Sequence, residues 1–311
     1  MKRFRADLAA LSFVLVAFFG FQANTPGRTQ SKDAQKPLVG EATRPPAKPG
    51  SLPESPTPLS TATVASAFKL AAARNDELGA TLKWEFGGKR QTGWFLYRSL
   101  IGKLLGTESD VGSQDFAQAL STWQVKSGLA PSGVLDEDTW YAMVGSWQDA
   151  RIKDRSFAQP AQLLVAPAAD FWNPTRPDEL RQVERETYAA FQRMLAAAIA
   201  EPSLHLMLDT DGRLAPDEDY FKILSSFRSR EYQEKLRRET PKAGRAGLAV
   251  NSPHFTGRAL DIYVGGDPVE TKDSNRALQV TTPVYKWLVR NADRFGFKPY
   301  FYEPWHWEYV R

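Results

Sequence analysis

The stretch Asn251–Val264 reads NSPHFTGRALDIYV and holds one of only three histidines in 311 residues. From Arg258 the side chains alternate. Leu260, Ile262 and Val264 point one way, as a core face does, and Ala259, Asp261 and Tyr263 point the other. This is a strand pattern. A carboxylate in the middle of an apolar strand is costly to bury unless a cation or a hydrogen-bond network receives it. Gly257 allows the chain to turn, so that His254 folds back toward the side of Asp261. The C-terminal Tyr302–Tyr309, YEPWHWEY, supplies a second histidine, His306, and a second carboxylate, Glu303. In a plain extended chain those two would face opposite sides, so their convergence requires a kink, and Pro304 between them fits that demand. Two imidazoles and one carboxylate make a three-ligand zinc site with an open fourth position, and a free carboxylate beside it is what a bound water needs as a base.

The composition narrows the field. A chain of 311 residues holds roughly two domains, and 42% hydrophobic with 12% aromatic residues is ample for packed cores. The formal net charge is +4, with no Lys/Arg run dense enough for nucleic acid, so nucleic acid is excluded as a partner and an acidic polymer is favoured. Cysteine is absent. That removes disulfides, Cys-based zinc sites, a thiol nucleophile and a lipid-modified Cys together. Any metal must be held by His, Asp or Glu.

Residues 1–23 have the grammar of an export signal or N-terminal membrane anchor. Lys2, Arg3 and Arg5 precede the apolar run Leu8–Phe21, which at fourteen residues is short of a full membrane span. Residues 24–65 are rich in Pro, Thr, Ser and Lys and read as a linker that cannot bury enough surface to fold. The expected location is therefore outside the cytoplasm, in the periplasm or cell envelope, with an N-terminal tether left open.

Residues 66–150 read as a small all-α domain. Phe116, Leu120 and Trp123 recur at helical spacing, Gly128 ends that helix, and Pro131 with Gly133 makes a turn. Asp136 is placed to cap a second helix with Trp140 and Met143 on its inner face. The segment Phe116–Val144 resembles the three-helix peptidoglycan-binding domain of wall hydrolases. A generic helical hairpin is the bland alternative. After a connector over residues 146–177, the spacing predicts a long amphipathic helix over Asp178–Ala200, a strand over Tyr220–Phe227 and a helix from Ser229 to Glu239 capped by Ser229. Arg228 then stands at a strand-to-helix junction, where a guanidinium can be aimed into a cleft. His205, beside LHLML, reads as structural.

With these residues in view, a family resemblance is plain. Ser252-Pro-His254-Phe-Thr-Gly257-Arg-Ala259-Leu-Asp261 is similar at every fixed position to the S-x-H-x-x-G-x-A-x-D signature of the VanY/VanX-type zinc D-alanyl-D-alanine peptidases. Glu303-Pro-Trp-His306 matches their E-x-W-H element, and Ser226-Phe-Arg228-Ser229 resembles their G-Y-R-S segment. The resemblance spans roughly Leu163–Arg311. One departure is Glu308, where the family often has Arg. The resemblance implies that His254, Asp261 and His306 bind one Zn²⁺, that Glu303 is general base and then acid, that Arg228 stabilises the oxyanion, and that Ser252 helps position substrate. It implies a compact α+β domain with a small antiparallel sheet, over residues 151–311. The expected partner is the peptidoglycan stem peptide and the expected reaction D,D-carboxypeptidase trimming, by a monomer. Endopeptidase cleavage in the stem or cross-bridge is the alternative within enzymes. A non-catalytic wall-binding protein is the alternative of another class.

Overall fold

The structure is a computed structural model that describes residues 61–239 and 251–311; the export-signal reading and most of the linker lie outside the described residues. A helix α1 (Thr61–Thr81) leads into a hairpin of β1 (Lys83–Phe86) and β2 (Lys89–Thr92), and three helices follow: α2 (Arg98–Leu105), α3 (Gln114–Lys126) and α4 (Glu137–Asp149). The capping residues act as the sequence suggests. Ser113 Oγ accepts from Phe116 N at 3.1 Å to start α3, and Asp136 accepts from Thr139 N at 3.0 Å to start α4. The turn between these helices is held from below. Asn75 of α1 donates to Gly133 O and accepts from Leu135 N, while Gln124 accepts from Gly133 N. Trp140 and Met143 are fully buried, on the inner face that the spacing predicts.

The rest of the chain is a mixed α+β region. Strand β3 (Leu163–Val165) pairs antiparallel with β4 (Gln182–Glu184), which runs directly into α5 (Arg185–Ile199). The long helix expected over Asp178–Ala200 is therefore shorter, and the residues before it are a 3-10 turn and a strand. The β3–β4 pairing takes residues 182–184 out of the helix, and a cap fixes the new start. The Glu184 carboxylate accepts from Thr187 N and Thr187 Oγ, both at 2.8 Å, which caps the helix at that point. Val183 is buried by strand pairing, not by a helical face.

Four strands form the main sheet: β5 (Ile223–Ser225), β6 (Ala259–Ile262), β7 (Phe297–Pro299) and β8 (His306–Tyr309), in the order β5-β6-β8-β7, all antiparallel. Helix α6 (Arg230–Glu239) follows β5, and α7 (Asp273–Thr281) and α8 (Pro283–Asn291) lie between β6 and β7. The strand expected over Tyr220–Phe227 shrinks to three residues. A register shift between Ile223 and Ser225 breaks the pairing, and beyond it Phe227 N bonds to Gln182 O and Arg228 N to His254 O. Ser229 Oγ accepts from Tyr232 N at 3.1 Å, the expected cap of α6.

One hydrophobic core runs through both regions. Phe301 stacks on Trp147 at 5.8 Å and meets Tyr97 at 5.5 Å and Trp140 at 6.4 Å. Above this contact the buried Arg276 of α7 donates to Tyr97 Oη at 3.1 Å and Tyr302 O at 3.2 Å, and its guanidinium lies 4.3 Å from the Tyr302 ring. Among the described residues no helix is long and apolar enough to cross a membrane.

Gly257 closes the loop that leads into β6. Its φ is +67°, and a Cβ there would meet Leu163 Cδ2 at 2.9 Å and Glu184 N at 3.0 Å. Gly257→Ala therefore meets both a backbone penalty and a clash with a chain segment. We expect a loss of about 1–3 kcal/mol in urea unfolding; a variant as stable as the parent would show that the β3–β4 hairpin gives way freely.

Candidate metal centre

The register of the sheet assembles the site. Asp261 of β6 lies opposite His306 of β8, and Ala259 lies opposite Glu308, so His306, Glu308 and Asp261 share one face. The other face carries Leu260, Ile262 and Trp307, all 1% exposed or less. The kink expected at Pro304 is a turn just before β8: Glu303 N bonds to Tyr300 O, and His306 N to Glu303 O. It leaves the carboxylate-bearing Glu303 beside the strand that carries His306.

His254 arrives from a 3-10 turn, Pro253–Thr256, that ends at Gly257. Its Nδ1 is 2.7 Å from Ser226 O, so that nitrogen carries the proton and Nε2 presents its lone pair, 3.3 Å from Asp261 Oδ2. His306 Nδ1 is 2.9 Å from Asp261 Oδ1, and its Nε2 is 3.2 Å from Glu308 Oε1. One ligand atom each from His254, Asp261 and His306 lies within 4.8 Å of the others, and all three residues are buried. Glu303 is buried too but is not part of that cluster.

The donor chemistry fits a divalent cation. Burial and the nearby Arg228 push the His254 imidazole down to about 4, so it is neutral, as a ligand must be. Asp261 is buried, which raises its carboxyl, but the two histidines outweigh this and hold it ionised well below its ordinary value. His306 is pushed the other way. Burial lowers it, yet its hydrogen bonds to Asp261 and Glu308 raise it to about 9. Two carboxylates thus favour positive charge at this spot. His₂Asp with borderline nitrogen and hard oxygen donors suits zinc.

The other expected residues also come close. Arg228 Nη2 is 3.3 Å from Asp261 Oδ2 and 3.1 Å from Ser225 Oγ, with its side chain buried against the cluster. Ser252 is 1% exposed, and its Oγ accepts from His254 N at 3.3 Å, which caps the turn bearing the ligand. His205 stays apart from the cluster. It is exposed, at a left-handed position after Leu204. Sequence reasoning missed Arg151 altogether: its Nε donates to Glu308 Oε1 at 2.9 Å from a point 157 positions earlier. Only the parity of Glu308 with His306 hinted at a partner there.

The family comparison concerns the same residues. Residues 180–311 match the family model VanY, D-alanyl-D-alanine carboxypeptidase. This part of the chain is similar to the VanY family. The matched segment contains every member of the cluster. The chain is also similar to a solved structure, the LdcB LD-carboxypeptidase described for its recognition of peptidoglycan, at 24% identity over 50% of this chain and 71% of that one, with a TM-score of 0.34. So low a score adds nothing on activity. No curated protein matches the chain.

Glu303 provides a stability test of this electrostatic picture. Burial first, and Asp261 in addition, raise its carboxyl from 4.5 to about 7, against the pull of His306, Arg151 and Arg228. Folding therefore holds a proton on Glu303 that the unfolded chain has released, so its contribution is fully present below about pH 4.5 and is lost as pH rises through about 7. In the metal-free protein, Glu303→Gln is expected to exceed the parent by on the order of 2–3 kcal/mol at pH 8, with no difference near pH 4. Urea unfolding at the two pH values measures it.

Proposed function

We propose that this chain is an exported, zinc-dependent peptidase of the peptidoglycan stem peptide, and that it removes the terminal D-Ala as a D,D-carboxypeptidase. The observation that carries this is the convergence of His254, Asp261 and His306, with Glu303 buried beside them in a VanY-family segment. A zinc ion held by those three residues would supply Lewis acidity and ease the deprotonation of a water.

The protein groups then divide the work. Glu303, with its carboxyl near 7, is poised both to accept the proton of the attacking water and to give it up. As the water oxygen bonds to the carbonyl carbon and the C–N bond breaks, that proton passes from Glu303 to the departing amine. Arg228 is a fixed cation next to Asp261, suited to hold the carbonyl oxygen as it gains negative charge, a contribution typically of about 3–4 kcal/mol. Ser252 caps the turn that carries His254, and its proposed part is to help position substrate. The burial of the whole set excludes bulk water, which strengthens each of these interactions.

The helical region over residues 66–150 is proposed to bind the wall, through its resemblance to the peptidoglycan-binding domain. The N-terminal signal accounts for export.

Digestion of purified muropeptides by the zinc-supplied full chain, read by mass spectrometry, tests the reading. Loss of one alanine is the expected product. Loss of a dipeptide or scission of a cross-link would replace the carboxypeptidase with another wall peptidase, and unchanged muropeptides would leave only a wall-binding protein. Glu303→Ala should lower turnover at least about 100-fold while metal analysis still finds zinc; a near-normal rate would remove Glu303 from its role. His254→Ala should lose the zinc itself.

A further inference from the structure

The VanY match begins at residue 180, yet the charge that faces Glu308 comes from outside it. Arg151 follows the end of α4 and is buried, with a side chain only 2% exposed. Its Nε and Nη2 both donate to Glu308 Oε1, while Ile152 N donates to Glu308 Oε2 at 2.9 Å. Nη1 donates to Gln148 Oε1 at 3.0 Å, and the guanidinium carbon lies 3.9 Å from the Tyr300 ring centroid. Both oxygens of Glu308 are therefore occupied from behind. On the remaining side Oε1 is 3.2 Å from His306 Nε2.

The same segment continues along the other ligand loop. Arg155 Nη1 donates to Asn251 O at 3.0 Å, and Ala158 N donates to Phe255 O at 2.8 Å. Phe157 stacks on Phe255 at 4.3 Å, next in sequence to His254. Residues 151–158 thus touch the chain on both sides of the cluster.

We propose that residues 151–158 form a strap that holds the metal centre in ligating geometry, with Arg151 as a positioning residue that aligns His306 through Glu308. The proposal rests on the metal reading given above. For Nδ1 of His306 to offer a lone pair, the ring proton must sit on Nε2, and Glu308 is the acceptor that keeps it there. An unrestrained buried carboxylate beside a cation would turn to ligate it. The donors from Arg151 and Ile152 hold Glu308 back.

The test is zinc affinity of the full chain, by competition with a chromogenic chelator, alongside melting of the metal-free protein. Arg151→Met should weaken zinc binding about 10–100-fold and lower metal-free stability, because it leaves Glu308 buried without its cation. The double variant Arg151→Met/Glu308→Leu should recover metal-free melting yet stay at least about tenfold weaker for zinc. If neither folds, Arg151→Lys decides. It keeps a charge but not the paired donors and should bind zinc several-fold more weakly. Affinity within about twofold of the parent in any folded variant would overturn the proposal, since a merely structural strap would change melting and leave zinc affinity alone. A parent chain that binds no zinc would overturn the metal reading first, and this inference with it.

Discussion

The structure turns on the ionised carboxylate of Asp261, set in the middle of an interior strand. A charge in that position is tolerated only if cations and donors surround it. His306 and Arg228 supply donors and charge within 3.3 Å, and the neutral His254 comes as close from a third chain segment. Their own positions follow from that demand. The left-handed Gly257 returns His254, the register shift in β5 frees Arg228 from the sheet, and the turn at Pro304 starts β8 with His306 opposite Asp261. The carboxylates of Asp261 and Glu308 in turn raise the His306 imidazole above its ordinary value. A site that gathers positive charge in this way could hold a metal ion.

Much of the centre was legible from residues alone because strand parity is a short-range rule. Leu260 and Ile262 against Asp261, and the odd spacing of Glu303 and His306, needed only period two and a proline. The helix caps at Ser113, Asp136 and Ser229 were legible for a similar reason, since a cap is a contact three residues long. What failed was where tertiary pairing overrode pattern. Val183 and Leu180 carry helical spacing with Phe191 and Leu195, but the partner strand at Leu163–Val165 takes residues 182–184 into a hairpin. Arg151 was invisible for a stronger reason. Nothing in the local sequence of a residue just past a helix end tells that its guanidinium meets a carboxylate at the far end of the chain.

The helical region is more than a neighbour of the peptidase. Phe301, two residues before Glu303, sits among Tyr97, Trp140 and Trp147, and Arg276 ties Tyr97 to the carbonyl of Tyr302. The loop that carries the proposed base is thus bedded in aromatic rings from residues 84–147. Packing of this density transmits small displacements instead of absorbing them, so substitutions in the helical region bear on the placement of Glu303.

Strand β8 also has a consequence for how this sequence can vary. Three consecutive residues serve two clients in strict alternation: His306 and Glu308 look toward the cluster, and Trp307 looks toward the core. The strand therefore behaves like a reading frame. Substitutions at single positions disturb one client at a time, whereas inserting or deleting one residue between Pro304 and Trp307 would exchange them all, sending an indole toward the ligands and an imidazole into the hydrophobic interior. Length, more than identity, is the property this segment can least afford to lose.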